Sequence, residues 1–218
     1  MFKFLFSTIG QKIQIAISGL LFSIFLMFHL FNNLVMYTGA DNFNSMVSFL
    51  KSIHIIIRIL EFGLLAIILI HVVNAIITTI KNRKANNGKY AVPANPPTAS
   101  LNSKTMIWSG SIVLLFLIFH LRYYWYTFQN LSKDANFYEY MSIEKFGFLG
   151  HGPTQIFYII AIFLIAMHLR HGFMSVFKTL GISQSIRSNI LKFIAFIFWG
   201  IIPAGFIIIV LSIRWGFI

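Results

Sequence analysis

Apolar residues fall into five long blocks, at roughly 13–37, 55–80, 105–128, 154–178 and 190–213, and polar residues gather between them. Each block reaches the ~20 residues that a helix needs to cross a ~30 Å hydrocarbon layer. The pattern predicts an all-α integral membrane protein with one transmembrane domain spanning 1–218, its first four helices forming a four-helix bundle and the fifth covering one side. The first block is full length and lacks a small-residue cleavage motif, so no cleavable signal peptide is expected. Residues 1–12 read as a short lead. Thr38–Ser52 read as a polar segment opened by a Gly39-Ala40-Asp41-Asn42 turn, and Asn130–Pro153 as a second such segment. The linker from Asn82 to Lys104 holds three of the five prolines and predicts an irregular loop. Gly150-His151-Gly152-Pro153 marks the start of the fourth helix, and Pro203 predicts a kink in the fifth.

Composition strengthens this picture: 58% hydrophobic, 10% charged and 25 Phe lie outside the range of a soluble domain of this size. The net charge of +12 at first suggests nucleic acid, but the cations are spread along the chain. Lys3, Lys12, Lys81, Arg83, Lys84, Lys89, Lys104, Lys178, Arg187 and Lys192 flank one side, whereas Asp41, Glu61, Asp134, Glu139 and Glu144 belong to the other. That asymmetry predicts a cytoplasmic N-terminus and an outer C-terminus. The absence of cysteine excludes disulfides, thiolate-held iron–sulfur clusters and covalently attached c-type haem within this chain.

The candidate chemistry lies in a repeat. Ile17–Leu30, ISGLLFSIFLMFHL, recurs as Trp108–Leu121, WSGSIVLLFLIFHL. Eleven residues make almost three helical turns, so Ser18 shares a face with His29 and Ser109 with His120. The second and fourth helices echo each other more weakly, His71-Val-Val-Asn-Ala75 against His168-Leu-Arg-His-Gly172. Counting from Lys12 and Lys104, His29 and His120 lie ~25 Å deep, while His71 and His168, counted from Lys81 and Lys178, lie ~15 Å deep.

Two planes result, each offering one histidine from each of two helices. Imidazoles in hydrocarbon need partners, and two such couples suit bis-histidine haem b, giving two haems. Gly19 and Gly110 fall near the inner plane, where a missing side chain makes room for a porphyrin. His171 fits the inner plane less well than His168; it packs, or contacts a propionate with Arg170. His54 and His151 lie at the outer surface.

With those residues in place, the chain resembles the five-helix, two-haem cytochrome b subunit of succinate:quinone oxidoreductases, the group of succinate dehydrogenases and fumarate reductases, over nearly its whole length. The family's Ser/Thr-Gly…His ligands fall on His29 and His120, and its second-helix ligand on His71. Its fourth-helix ligand, thirteen residues before a glycine, falls on His168, with Gly181 at that spacing. The GADNFNS stretch is also similar.

The resemblance implies an anchor in a bacterial inner membrane, holding a flavoprotein with covalent FAD and an iron–sulfur subunit on the cytoplasmic side. It implies electron flow between succinate and fumarate chemistry and menaquinone through an inner haem (His71, His168) and an outer haem (His29, His120). Asp41, His54 and Glu61 are then the candidates near the quinone. Some relatives carry a carboxylate two residues before the fourth-helix ligand, associated with proton movement; here Ala166 stands there, so that route is not carried over.

Three other readings compete. The cytochrome b of a quinone-linked hydrogenase or formate dehydrogenase shares the chemistry but places its ligands differently. A haem-free transporter or proton channel would want more intramembrane carboxylates than Glu61. A plain anchor leaves the histidines unexplained.

Overall fold

The computed structural model describes residues 2–86, 101–181 and 189–218. Most of the proline-bearing linker, with Lys89, and also Arg187 lie outside the described residues. The described residues are helical apart from turns and loops, and five helices are long and apolar enough to cross a membrane: Thr8–Thr38, His54–Asn82, Met106–Asn130, Gly152–Thr179 and Asn189–Trp215.

A short helix α1 (Phe2–Leu5) leads into α2 (Thr8–Leu34). The long helix starts five residues before the expected boundary because the Ser7 side chain accepts a hydrogen bond from Gly10 N at 3.0 Å, satisfying a donor that would otherwise face lipid or water. A 3₁₀ turn (Val35–Thr38) ends α2, and Gly39, at φ 100°, reverses the chain. The polar segment that follows is itself a helix, α3 (Ala40–Ser52), with Asp41 in its first turn, where a carboxylate favours the helix dipole.

Helix α4 (His54–Asn86) and helix α5 (Leu101–His120) both run further into the linker than their apolar blocks. A π-turn at Leu121–Trp125 joins α5 to α6 (Tyr126–Asn130), and α7 (Phe137–Ser142) lies in the second polar segment. Helix α8 (Gly152–Thr179) begins with Pro153 in its first turn, where no N–H is missed. The last crossing comprises α9 (Asn189–Phe196), a π-turn at Ile197–Ile201 and α10 (Ile202–Trp215). Pro203 cannot donate to the ladder and would crowd the carbonyl of Trp199, and the wider turn just ahead of it relieves both problems.

The main contacts place α2 against α4, α5 against α8 and α2 against α8, so these four elements follow the order α4, α2, α8, α5. Helix α10 packs on both α2 and α8, and Tyr37 on the α2 side meets Ser212 of α10 at 2.6 Å. The two polar segments pack together over one end. Asn44 Nδ2 donates to Asn136 Oδ1 at 3.0 Å, Tyr138 N donates to Asn44 Oδ1 at 2.9 Å, and Ser48 Oγ donates to the Lys133 carbonyl at 2.7 Å.

Lys51 finishes the clasp. Its ammonium donates to the Phe128 and Leu131 carbonyls where α6 ends, and sits over the Phe137 ring. Burial, then the charges of Arg58 and Lys133, lower its pKa below the usual lysine value. Beneath this cap lies the apolar core, which includes Met36, Phe43, Phe137, Phe148 and Tyr158.

Gly147 and Gly39 share a positive φ, 96° and 100°, but differ in surroundings. A Cβ at Gly147 would fall 2.0 Å from the Tyr123 ring, whereas one at Gly39 meets nothing within 4 Å. Gly39→Ala therefore bears only the backbone penalty, roughly 1–3 kcal/mol. Gly147→Ala is expected to lose at least twice that in thermal unfolding of detergent-solubilised protein, and equal losses would show that the ring overlap does not matter.

Candidate functional site

His29, His71, His120 and His168 lie on four different helices, and their rings meet in two couples. His29 of α2 faces His120 of α5 with ring centres 5.8 Å apart, and His71 of α4 faces His168 of α8 at 6.4 Å. Neither couple joins adjacent elements in the order α4, α2, α8, α5; each bridges two helices with one between them. On α8 it is His168, not His171, whose ring faces His71.

Each couple has its own surroundings. At the His71–His168 level the residues beside the rings are small or polar, with Ser18 and Ser109 both buried. Ser18 Oγ lies 3.0 Å from His71 Nδ1, and Ser109 Oγ lies 3.4 Å from His168 Nδ1. The adjacent glycines touch the same rings. A Cβ on Gly19 would lie 3.4 Å from His71 Cε1, and one on Gly110 would lie 3.3 Å from His168 Cε1.

The His29–His120 couple is walled by aromatic rings. Phe25 stacks on His29 at 5.4 Å with Phe206 nearby, and Phe116 and Tyr124 stack on His120 at 5.7 and 5.6 Å. His120 Nδ1 lies 3.2 Å from the Tyr158 hydroxyl. Tyr124, in the π-turn just after His120, accepts a hydrogen bond from Leu149 N at 2.8 Å, which ties the cap to this level.

A polar column runs from the basic end towards His71 along the α2–α4 contact. Lys81 Nζ donates to Gln11 Oε1 at 2.9 Å, Asn74 Nδ2 donates to Gln14 Oε1 at 3.1 Å, and Ser18 Oγ donates to the Gln14 carbonyl at 2.6 Å. Thr78 Oγ1, between those rungs in sequence, is buried with no hydrogen-bond partner among the described residues.

The geometry of the couples can be tested against haem iron. An ion held by one nitrogen of each ring at about 2 Å separates the ring centres by roughly 6 Å, and the observed 5.8 and 6.4 Å lie on either side of that value. Each couple provides two nitrogens, the number that an iron porphyrin leaves open. No group of three or more His, Cys, Asp or Glu that could hold a bare metal ion occurs among the described residues. Gly19 and Gly110 give room to the imidazole edges of His71 and His168, and flat aromatic walls flank the other couple, so the residues present fit the group.

The remaining sequence candidates are scattered. Asp41 is exposed on α3 and His54 is exposed at the start of α4. Glu61 instead pairs with Arg58 at 2.7 Å and accepts from Gln129 Nε2 at 3.1 Å, while Arg58 donates to Gln129 Oε1 and lies over Trp125. This cluster ties α4 to α6 and to the π-turn before it. The Arg170 guanidinium sits over the Trp199 ring at 5.1 Å, His171 is half-buried, and His151 is half-buried against Thr154 Oγ1 at 2.9 Å.

Sequence reasoning singled out Ser18 and Ser109 but gave them no role, and passed over Tyr158, Tyr124, Arg58 and Gln129. The recurrence of Ser-Gly as a unit was the available signal for the serines; nothing local marks Tyr158 as a neighbour of His120. No protein-family model matches the chain, and no curated protein or solved structure does either.

Glu61 and Arg58 are partly exposed, so their pairing contributes about 1 kcal/mol. Glu61→Ala should lower stability in detergent by that order, and Glu61→Gln, which keeps an acceptor for Gln129, by less. Equal unfolding temperatures for all three proteins would remove the cluster from the list of helix ties.

Proposed function

We propose that the chain is the cytochrome b subunit of a succinate:quinone oxidoreductase, a membrane anchor whose first four crossing helices form a bundle holding two b haems. The observation that carries this reading is the pair of facing histidine couples at two heights. Gly19 touches His71, and His29 lies ten residues further along α2, so the couples are offset by about 15 Å along the helices. That spacing suits two redox centres in series across one membrane.

His71 and His168 hold the inner haem, and His29 and His120 the outer one. When bound, each iron exchanges a single electron between its ferric and ferrous states. The protein's part is to present two imidazole nitrogens per site and to keep water out. Phe25, Phe116, Tyr124 and Phe206 make the outer site apolar, which disfavours added charge there. Ser18 and Ser109 hold the inner rings.

The lysine-rich side faces the cytoplasm, in keeping with the positive-inside distribution, and docks the FAD-bearing flavoprotein and the iron–sulfur subunit. The membrane is a bacterial inner membrane, and the quinone, a menaquinone, reacts near the outer haem. Of the three candidates for handling its protons, Glu61 is the one held within a hydrogen-bonded cluster; Asp41 and His54 stand at the outer surface.

A reduced-minus-oxidised spectrum of the purified chain should show a b-type band with about two haems per polypeptide. His71→Ala or His168→Ala should remove the inner haem alone, and His29→Ala or His120→Ala the outer haem alone. His171→Ala should keep both. A haem-free preparation that also fails to take up added haemin would end this reading.

A further inference from the structure

The Ser-Gly steps of α2 and α5 serve histidines on the neighbouring helices rather than those on their own. Ser18 and Gly19 contact the Nδ1 and Cε1 edge of His71, and Ser109 and Gly110 contact the same edge of His168. The repeat is therefore one device used twice: a hydroxyl and a bare Cα that together seat an imidazole from the next helix in the chain.

A hydroxyl has one proton to give. Ser18 Oγ lies 2.6 Å from the Gln14 carbonyl and 3.1 Å from that of Ile15, both obligate acceptors, so its proton goes to the backbone. The oxygen then faces His71 as an acceptor, and His71 Nδ1 must be the donor. Ser109 repeats the arrangement, 3.1 Å from the Met106 carbonyl and 3.4 Å from His168 Nδ1. A Cβ in place of Gly19 would just touch His71 Cε1 at 3.4 Å and one in place of Gly110 would crowd His168 Cε1 at 3.3 Å, so the bare Cα lets each ring lie close to its serine.

We propose that Ser18 and Ser109 are positioning residues that set the tautomer of His71 and His168, keeping the proton on Nδ1 and leaving Nε2 of each ring as the free lone pair of the inner couple. What those lone pairs bind rests on the haem reading. The outer couple lacks this device: His120 Nδ1 meets the phenol of Tyr158, a group able to donate or accept. An accepting serine also makes the imidazole a stronger electron donor, which favours oxidised iron at the inner site.

The test is a potentiometric titration of the full-length chain followed at its visible bands. Ser18→Ala and Ser109→Ala should each shift the inner midpoint potential upward and weaken inner-haem retention about 10- to 100-fold, with the outer centre unmoved. Ser18→Thr and Ser109→Thr should restore parental values, which general loosening of the bundle would not allow. Alanine variants titrating like the parent would overturn the proposal while leaving the haem reading intact. If the parent binds no haem, or the alanine variants do not fold, nitrogen NMR of the parent's labelled imidazoles decides: protonated Nδ1 at His71 and His168 supports the proposal, and protonated Nε2 at either overturns it.

Discussion

An imidazole among apolar helices must satisfy two nitrogens, and that requirement organises the interior of this protein. Water is not at hand to serve either one, and an unpaired polar atom in such surroundings costs several kcal/mol. Each inner histidine meets half of the requirement with a serine at its Nδ1 edge, and a second imidazole lies 6.4 Å away across the interior. The arrangement needs four helices at once. No two adjacent helices supply both members of a couple, so the couples require the four elements to be held at one mutual height.

Height is controlled from both ends. At the basic end, Gln11, Gln14, Asn74 and Lys81 link α2 to α4 at successive turns, and a slip of either helix by one turn would break all these bonds together. At the other end, the packed polar segments, Lys51 on the carbonyls closing α6, and the Arg58–Glu61–Gln129 cluster fix α3 and α4 against α6 and α7. The apolar core lies under that cap. Hydrogen bonds between elements secure both ends, and at the capped end the apolar core adds packing.

The two couples differ in what surrounds them, and the difference bears on their chemistry. Hydroxyls and glycines line the inner level, whereas stacked phenylalanine and tyrosine rings line the outer. A positive charge is easier to accommodate next to oxygen lone pairs than among apolar rings, so otherwise similar bis-histidine centres would have different reduction potentials. Each half of the repeat contributes one histidine to each couple, so the inequality lies between the two levels and not between the two halves.

The amino-acid sequence by itself determined five helices long and apolar enough to cross a membrane, because about twenty predominantly apolar residues in a row leave the backbone no better way to satisfy its hydrogen bonds in lipid. It also determined the height of each histidine, since depth follows from counting residues at a constant rise. The helical nature of Ala40–Ser52 was not legible, as its polar composition resembles a loop until Gly39 and its contacts with Asn136 and Lys133 are seen. Which residues meet was decided by tertiary structure alone. Ser18 and Gly19 share a helix with His29 yet contact His71, Tyr158 reaches His120, and Glu61 is drawn to Arg58 and Gln129 rather than to Asp41 or His54. Periodicity along one helix specifies a face, and only the packing of several helices specifies what that face touches.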